Sequence, residues 1–140
     1  MTSDLFSSSL RAYRERGFFK EIKILRGIER ESLRVDKSGK ISQKNHPKNL
    51  GSPLTNSDIT TDFAEALVEL VTPTFESPEE LFDHLNLLHR FLYSELVDEM
   101  LWNFSMPCAF TNEKEIRIAE YGNSNSGMLK HVYRKGLRLR

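Results

Sequence analysis

The sequence has 140 residues and a mass of 16.3 kDa, which fits one modest domain and leaves little room for a second. Its 20 Lys and Arg residues balance 20 Asp and Glu residues, so no net charge attracts nucleic acid or an anionic membrane. With 39% hydrophobic and 29% charged residues, the composition is typical of a globular protein and excludes disordered and fibrous classes. We therefore predict one folded domain without a nucleic-acid partner.

The amino-terminal residues do not form a secretory signal. Acidic residues and arginines interrupt residues 1–19, where a signal peptide has an apolar stretch, and no run of about 18 apolar residues occurs. The only cysteine, Cys108, excludes an internal disulfide and a metal site built from several thiolates. These features predict a cytoplasmic protein without membrane contact, in which Cys108 has a packing role.

Hydrophobic spacing and turn residues predict the first elements. Apolar residues at helical intervals indicate an amphipathic helix over residues 5–21. Residues 27–35 have the character of a strand, and the turn sequence DKSG at 36–39 predicts a β-hairpin that returns at 40–41. The polar residues 42–58, with two prolines and a glycine, predict a long loop.

The sequence of residues 59–75 is compatible with either a helix or a strand. Their centre, residues 63–70, favours helix by propensity. The flanking threonines and valine, with the stop at Pro73, suit a strand. Propensity alone does not decide between them.

The clearest predicted element is a helix over residues 78–101. Ser77 supplies an N-cap, Pro78 suits the first helical position and Glu80 completes a capping box. Six apolar residues at helical spacing mark its buried face: Leu81, Leu85, Leu88, Leu92, Leu96 and Met100.

A last, basic helix is predicted from residue 128, after the flexible polar loop 122–127. This helix carries no acidic residue. Its pattern reaches Arg140 without a capping or helix-breaking sequence, so we expect a truncated chain.

Two acidic residues lie on the first predicted strand. Glu29 and Glu31 are two positions apart, so their side chains leave the same face, about 6.6–6.8 Å apart along the chain. Arg30 and Arg34 fall on the opposite face and do not neutralise them. One or more Mg²⁺ ions would supply the missing positive charge.

A second acidic group follows at Asp62, Glu65 and Glu69. In a strand Glu65 and Glu69 share a face, whereas Asp62 lies on the other face unless the backbone twists or bulges. The residues alone leave two interpretations open. These are solvated charges on an exposed sheet face, or a divalent-metal site on a face that Leu67 and Val71 partly bury.

Five segments, in this order, closely resemble the N-terminal part of proteobacterial-type glutamate–cysteine ligases, also called γ-glutamylcysteine synthetases. They are GIERESLRV at 27–35, LGSPLT at 50–55, ITTDFAEALVELVTP at 59–73, SMPC at 105–108 and YGNSNSG at 121–127. The likeness covers about residues 25–140. Because members of the family are several times longer, residues 1–140 resemble a single incomplete domain, the N-terminal part of the ligase catalytic domain.

The resemblance implies an α+β fold related to glutamine synthetase, in which an antiparallel sheet forms an active-site funnel with flanking helices. On that basis we predict a strand over residues 59–71. It also implies the first step of glutathione biosynthesis, in which ATP phosphorylates the γ-carboxylate of L-glutamate and L-cysteine attacks the acyl phosphate. The implied metal is Mg²⁺, with Mn²⁺ as an alternative, ATP is the co-substrate, and the full-length enzyme is monomeric.

Carried across residue by residue, the resemblance implies two groups of site residues. The acidic positions around the metals are matched by Glu29, Glu31, Asp62 and Glu69, with Glu65 as a weaker candidate. The pocket for the acceptor cysteine is matched by Phe63, Tyr133 and Arg134. The acids would hold Mg²⁺ against the ATP phosphates, and Arg134 suits bidentate binding of a carboxylate.

The remaining metal, nucleotide and glutamate ligands of the family would lie beyond Arg140, so we expect the 140 residues alone to be inactive. The alternative is a non-catalytic binding module. In that interpretation the helices at 78–101 and 128–140 dock a partner, and the carboxylates are merely solvated.

Overall fold

A four-stranded antiparallel sheet lies at the centre of the fold, in a computed structural model that describes residues 2–138. Residues 1, 139 and 140 lie outside this range, and with them the end of the predicted basic helix. The strands are β1 (Glu29–Val35), β2 (Ile59–Thr60), β3 (Leu67–Val71) and β4 (Met100–Trp102), in the spatial order β2-β3-β1-β4. The helices are α1 (Thr2–Glu15), α2 (Phe18–Glu21), α3 (Pro78–Glu95) and α4 (Asn125–Arg138), with 3₁₀ turns at Lys48–Leu50 and Glu113–Glu115.

The predicted strand over residues 59–71 is wrong as a single element. The structure divides it into β2 and β3, which pair with each other through Ile59–Leu70 and Thr60–Glu69. A turn at residues 61–66 separates them, closed by the Ala64 carbonyl, which accepts from the Leu67 N–H at 2.9 Å and the Thr61 hydroxyl at 2.9 Å. Because β3 pairs on both sides, strand pairing overrides the helical propensity of its sequence.

The predicted hairpin after β1 is confirmed in a reduced form. The Gly39 N–H donates to the Asp36 carbonyl at 3.0 Å, which closes the expected turn. The return strand is only an isolated bridge between Val35 and Ile41.

The helix boundaries also differ from those predicted. The first helix ends at Glu15, and Gly17, at φ 72°, separates it from the one-turn helix α2. Helix α3 ends at Glu95, because residues 100–102 pair with β1 as β4. Helix α4 begins three residues early, since Ser124 Oγ accepts from the Gly127 N–H at 3.1 Å and caps the first turn. No helix within residues 2–138 is long and apolar enough to cross a membrane.

Helix α3 packs its leucine face against one side of the sheet. This confirms the predicted core role of the leucines and excludes Met100, which lies exposed in β4. The core comprises Leu85, Leu88, Leu92 and Leu96 with Leu50, Ile59, Val68, Leu70 and Leu101. Because the sheet covers this leucine face, it is not available to dock the partner that the binding-module alternative requires.

A buried ion pair joins four parts of the chain. The Arg34 side chain is 0% exposed and that of Glu99 4%, and their Nη1 and Oε1 atoms lie 2.8 Å apart. Arg34 also donates to the carbonyls of Glu65 at 2.8 Å, Lys44 at 3.0 Å and Asn45 at 3.2 Å. Arg34 therefore connects β1 to the residue before β4, to the long loop and to the turn at 61–66.

Helix α4 begins in close contact with the segment before it. A Cβ placed on Gly127 would lie 2.5 Å from the Tyr121 carbonyl oxygen and 2.7 Å from that of Gly122. Only glycine permits this approach, which sets the position of α4 relative to residues 117–121.

Replacing Arg34 by methionine is expected to destabilise the fold by about 3–5 kcal/mol, because it leaves the Glu99 charge buried and unpaired. Urea unfolding measures this loss. The matched control is Lys37→Met, which removes the exposed pair between Lys37 and Asp98 and should leave stability unchanged within error. Equal effects of the two substitutions would contradict the structural role of Arg34.

Two glycines of α4 should respond oppositely to alanine. Gly127→Ala is expected to lower the melting temperature, since the new methyl group overlaps backbone oxygen. Gly136→Ala should raise stability by about 0.5–1 kcal/mol, because nothing lies within 4 Å of the new Cβ and alanine favours helix. Thermal unfolding of both variants provides the comparison, and stabilisation by Gly127→Ala would rule out the close approach.

Candidate active site

The predicted acidic face exists on the sheet side that α3 does not cover. Glu31 of β1 lies directly opposite Glu69 of β3 in the strand register, and Glu29 lies two residues before Glu31 on the same side. The ladder bonds from Thr72 N to Ile28 O and from Arg34 N to Ala66 O make the Glu31–Glu69 pair a non-hydrogen-bonded one. Cα atoms in such pairs are about 4.5 Å apart, so these two side chains are close neighbours.

Like charges act on Glu69 from several directions. Its pKa is raised above the ordinary value by partial burial first, and then by the negative charges of Glu31, Asp62 and Glu29. The positive charge of Lys130 on α4 opposes this effect. Among the side chains that the structure describes, which do not include that of Arg138, no basic group forms a salt bridge with Glu29, Glu31 or Glu69. Glu29, Glu31 and Glu69 therefore form a concentration of negative charge that Lys130 opposes only in part.

Asp62 reaches this cluster from the turn at residues 61–66 and not from a strand. The turn resolves the sequence problem that strand alternation placed Asp62 on the wrong face. Its carboxylate pairs with the guanidinium of Arg134 on α4, and this hydrogen bond raises the pKa of Arg134. Two residues predicted for different roles, metal binding and acceptor binding, are thus bonded to each other.

Glu65, the weaker metal candidate, is not on the acidic face. Because the turn replaces the predicted strand, its side chain is 3% exposed and turned into the protein. One carboxylate oxygen accepts from the His46 N–H at 2.8 Å and the other from the Glu120 N–H at 2.6 Å. Both oxygens already accept backbone hydrogen bonds, so Glu65 has a structural role here.

The predicted acceptor-pocket residues are only partly assembled. Phe63 is half-buried beside Asp62, and its carbonyl accepts from the Ala119 N–H at 3.0 Å. Arg134 lies at the acids through Asp62. Tyr133 is 65% exposed and lines an outer cleft of about 200 Å³ with neighbouring α4 residues. The structure therefore brings Phe63 and Arg134 to Asp62, and leaves Tyr133 at the surface.

Sequence reasoning missed Tyr121 and Lys130. The Tyr121 hydroxyl donates to the backbone carbonyl of Asp62, and Lys130 Nζ lies 4.3 Å from the centre of the Tyr121 ring. The one available signal was the four-residue spacing of Lys130 and Arg134, which places both cations on one side of a helix. The Tyr121 contact spans 59 positions, which no local pattern reveals.

The donor chemistry of the acidic face fits a hard divalent cation, because carboxylate oxygens are the ligands that Mg²⁺ prefers. Within the described residues, no three His, Cys, Asp or Glu side chains already converge on one metal position. The pairing of Asp62 with Arg134 is one reason, since it occupies a carboxylate that a metal would need.

A cavity of about 330 Å³ opens beside Glu31, next to the acidic face. The aromatic rings of Trp102 and Phe104 line it, with centroids 4.9 Å apart. A volume of this size is sufficient for a small organic ligand.

Comparison with known proteins places these residues in a family. The model of the family described as glutamate-cysteine ligase matches residues 9–140. The chain belongs to the glutamate–cysteine ligase family. This confirms the resemblance of the five sequence segments.

Named relatives and solved structures agree with this assignment. The glutamate–cysteine ligase of Pseudomonas putida (strain W619) is 56% identical over 116 residues, and that of Pseudomonas syringae pv. syringae 53%; each match covers 83% of this chain and 22% of the relative. The chain thus spans about a fifth of the length of these relatives. The crystal structure of a Francisella tularensis glutamate–cysteine ligase in complex with AMP matches with a TM-score of 0.79 and 46% identity, over 83% of this chain and 23% of that one.

A second solved structure, a bifunctional glutathione synthetase from Pasteurella multocida, matches with a TM-score of 0.64 and 36% identity. The match covers 67% of this chain and 13% of that one. The α+β fold with an antiparallel sheet is therefore confirmed as that of the ligase family.

Replacing Glu69 by glutamine is expected to stabilise the chain at pH 7 and to reduce its sensitivity to pH. The raised pKa means that the folded carboxyl holds its proton better than the unfolded one. The Glu69 carboxyl therefore contributes most to the stability of the fold below the pKa that it has in the unfolded chain. This contribution is lost as the pH rises through the pKa that it has in the folded chain. Glutamine carries no charge, so the substitution removes both this loss and the repulsion from Glu31. We expect the free energy of unfolding at pH 7 to increase by at most about 1 kcal/mol.

Urea unfolding at pH 4 and pH 7 measures both effects. Asp83→Asn, which removes an exposed charge from α3, is the matched control and should change neither value. A Glu69→Gln chain no more stable than the control at pH 7 would show that the acidic face carries no repulsion.

Proposed function

We propose that this chain supplies the acidic, metal-binding strands in the catalytic site of an ATP-dependent glutamate–cysteine ligase. The observation that carries the proposal is the Glu31–Glu69 pair, two carboxylates directly opposite each other with no salt bridge in the described residues. Like charges in this position destabilise a sheet. A bound cation that is not part of the chain would neutralise these carboxylates, and this would explain why the two lie opposite each other.

The cation that we propose is Mg²⁺, with Mn²⁺ as an alternative. Glu29, Glu31, Asp62 and Glu69 would hold it, together with ATP phosphates and further donors. When bound, the ion would neutralise charge on the phosphates during phosphoryl transfer. For Asp62 to take part, its carboxylate must leave Arg134.

The proposed reaction has two steps. The γ-carboxylate oxygen of L-glutamate attacks the γ-phosphorus of ATP, and ADP leaves. The amino group of L-cysteine then attacks the acyl carbon, phosphate leaves, and the amine proton is lost to give γ-glutamylcysteine. This product is the first intermediate of glutathione biosynthesis.

The residues of the chain provide binding and orientation for these steps. Arg134, once free of Asp62, would pair with the carboxylate of the acceptor cysteine in bidentate fashion. Phe63 and Tyr133 would shape the pocket around it. The cavity beside Glu31 offers space for part of a substrate next to the acids. The cytoplasmic location and the monomeric state of the full-length enzyme stay predictions.

Calorimetric titration with Mn²⁺ tests the metal-binding part of the proposal. The wild-type chain is expected to bind Mn²⁺, and the Glu29→Gln, Glu69→Gln double variant should lose most of this binding because both strands contribute ligands. The matched control, Glu15→Gln with Asp83→Asn, removes two exposed charges from α1 and α3 and should bind as the wild type does. With ATP, glutamate, cysteine and Mg²⁺, we expect no γ-glutamylcysteine from this length of chain alone, since no three ligands converge in the described residues.

Two outcomes would contradict these expectations. Equal loss of Mn²⁺ binding in the double variant and in the charge control would reduce the acidic face to a general electrostatic attraction. Product above background would show that these 140 residues already form a complete site.

A further inference from the structure

Tyr121 occupies a central position between the acidic face and α4. Its side chain is 2% exposed, and it lies in the segment that leads from residue 117 into α4. The hydroxyl donates to the backbone carbonyl of Asp62, with the Thr61 carbonyl as a second acceptor at 3.4 Å. Lys130 Nζ lies over the ring, 4.3 Å from its centre. One buried side chain thus contacts both the acid-bearing turn and the basic side of α4.

We propose that Tyr121 is a positioning residue that holds Asp62 beside Glu69 and so shapes the acidic metal-binding face. The proposal rests on the function proposed above for that face. It assigns Tyr121 no contact with metal or substrate. Its role is exerted through the backbone of Asp62, the residue whose carboxylate belongs to the cluster.

The hydroxyl explains why tyrosine stands here. Phenylalanine would fill the same buried space as the ring of Tyr121. A buried hydroxyl lowers the stability of the fold unless it forms a hydrogen bond. Here the hydroxyl is bonded, and its acceptor belongs to a turn whose own pairing is an isolated bridge between Ala64 and Ile118. The bond therefore restrains the turn at the residue that carries the carboxylate.

The residue before Tyr121 restrains the same turn from its other end. The Glu120 N–H donates to the Glu65 carboxylate at 2.6 Å, and the Ala119 N–H donates to the Phe63 carbonyl at 3.0 Å. Each of residues 119–121 thus donates one hydrogen bond to the turn, and the acceptors are Phe63, Glu65 and Asp62 respectively. Two members of this set also contact α4: the Ala119 carbonyl lies 2.9 Å from His131 Nδ1, and the Tyr121 ring lies under Lys130. Of the two, Tyr121 bonds through its side chain to Asp62, the partner of Arg134, so it links the turn to the helix that carries Arg134.

The test is the variant Tyr121→Phe, which keeps the ring and the Lys130 contact and removes only the hydroxyl. Hydrogen exchange of the Glu65 amide, bonded to the Arg117 carbonyl at 2.8 Å, reports on the turn without metal. We expect roughly two- to tenfold faster exchange, as for the loss of one hydrogen bond. Mn²⁺ affinity should fall by about tenfold, as for residues that orient metal ligands.

The matched control is Tyr93→Phe, the same chemical change at an exposed position on α3. Both variants are measured at a temperature where circular dichroism shows them folded, and the control should match the wild type. Unchanged exchange at Glu65 in folded Tyr121→Phe, or unchanged Mn²⁺ affinity with a wild type that binds, would overturn the proposal.

The proposal and the metal-binding function fail separately. If the wild-type chain binds no Mn²⁺ but exchange at Glu65 is faster in Tyr121→Phe, the positioning contact is supported and the proposed function is contradicted for this chain. If Tyr121→Phe does not fold in buffer alone, both measurements are repeated on it and on the control in sucrose, which favours the folded state. Unchanged Mn²⁺ affinity of Tyr121→Phe under these conditions would also overturn the proposal.

Discussion

The burial of one guanidinium constrains most of this structure. A charged side chain without solvent contact needs partners inside the protein. Both terminal nitrogens of Arg34 find them in the Glu99 carboxylate and three backbone carbonyls, whereas its Nε has no hydrogen-bond partner among the described residues. Those acceptors lie immediately before β4, in the long loop and in the turn at 61–66, which are far apart in sequence. Burial lowers the pKa of Arg34, and the negative charge of Glu99 opposes that shift. The turn that carries Asp62 is therefore anchored through the carbonyl of Glu65, only three residues away.

One face of the sheet packs against α3 and the other presents acidic side chains, because side chains alternate along a strand. On β3, Val68 and Leu70 pack under α3, whereas Glu69 between them faces the other side. The hydrophobic contacts that stabilise the strand thus hold a carboxylate opposite Glu31 at a position that charge repulsion disfavours. Packing energy from one face thus supports the pair of like charges on the other. Helix α4 adds the opposing positive charge of Lys130 and Arg134.

The sequence was informative where structure is local or periodic. The two-residue spacing of Glu29 and Glu31 correctly predicted a shared face, and the cap at Ser77 correctly placed the start of α3. Prediction failed where long-range pairing competes with local preference. Residues 100–102 continue a helical pattern but pair with β1, and residues 61–66 fit a strand but form a turn. The position of Glu65 followed from that turn, so its buried bonds were not predictable from alternation.

By itself, the sequence determined the family, because five segments match it in order. The resemblance to that family then implied the α+β class and singled out the acidic residues, which spacing alone did not settle. The tertiary structure alone decided which of those residues meet. It paired Glu31 with Glu69, bonded Asp62 to Arg134, withdrew Glu65 into the protein and placed Tyr121 under the turn. The physical reason is that such contacts depend on register and on chain segments many residues apart, which the burial of apolar and charged groups selects only when the whole chain folds.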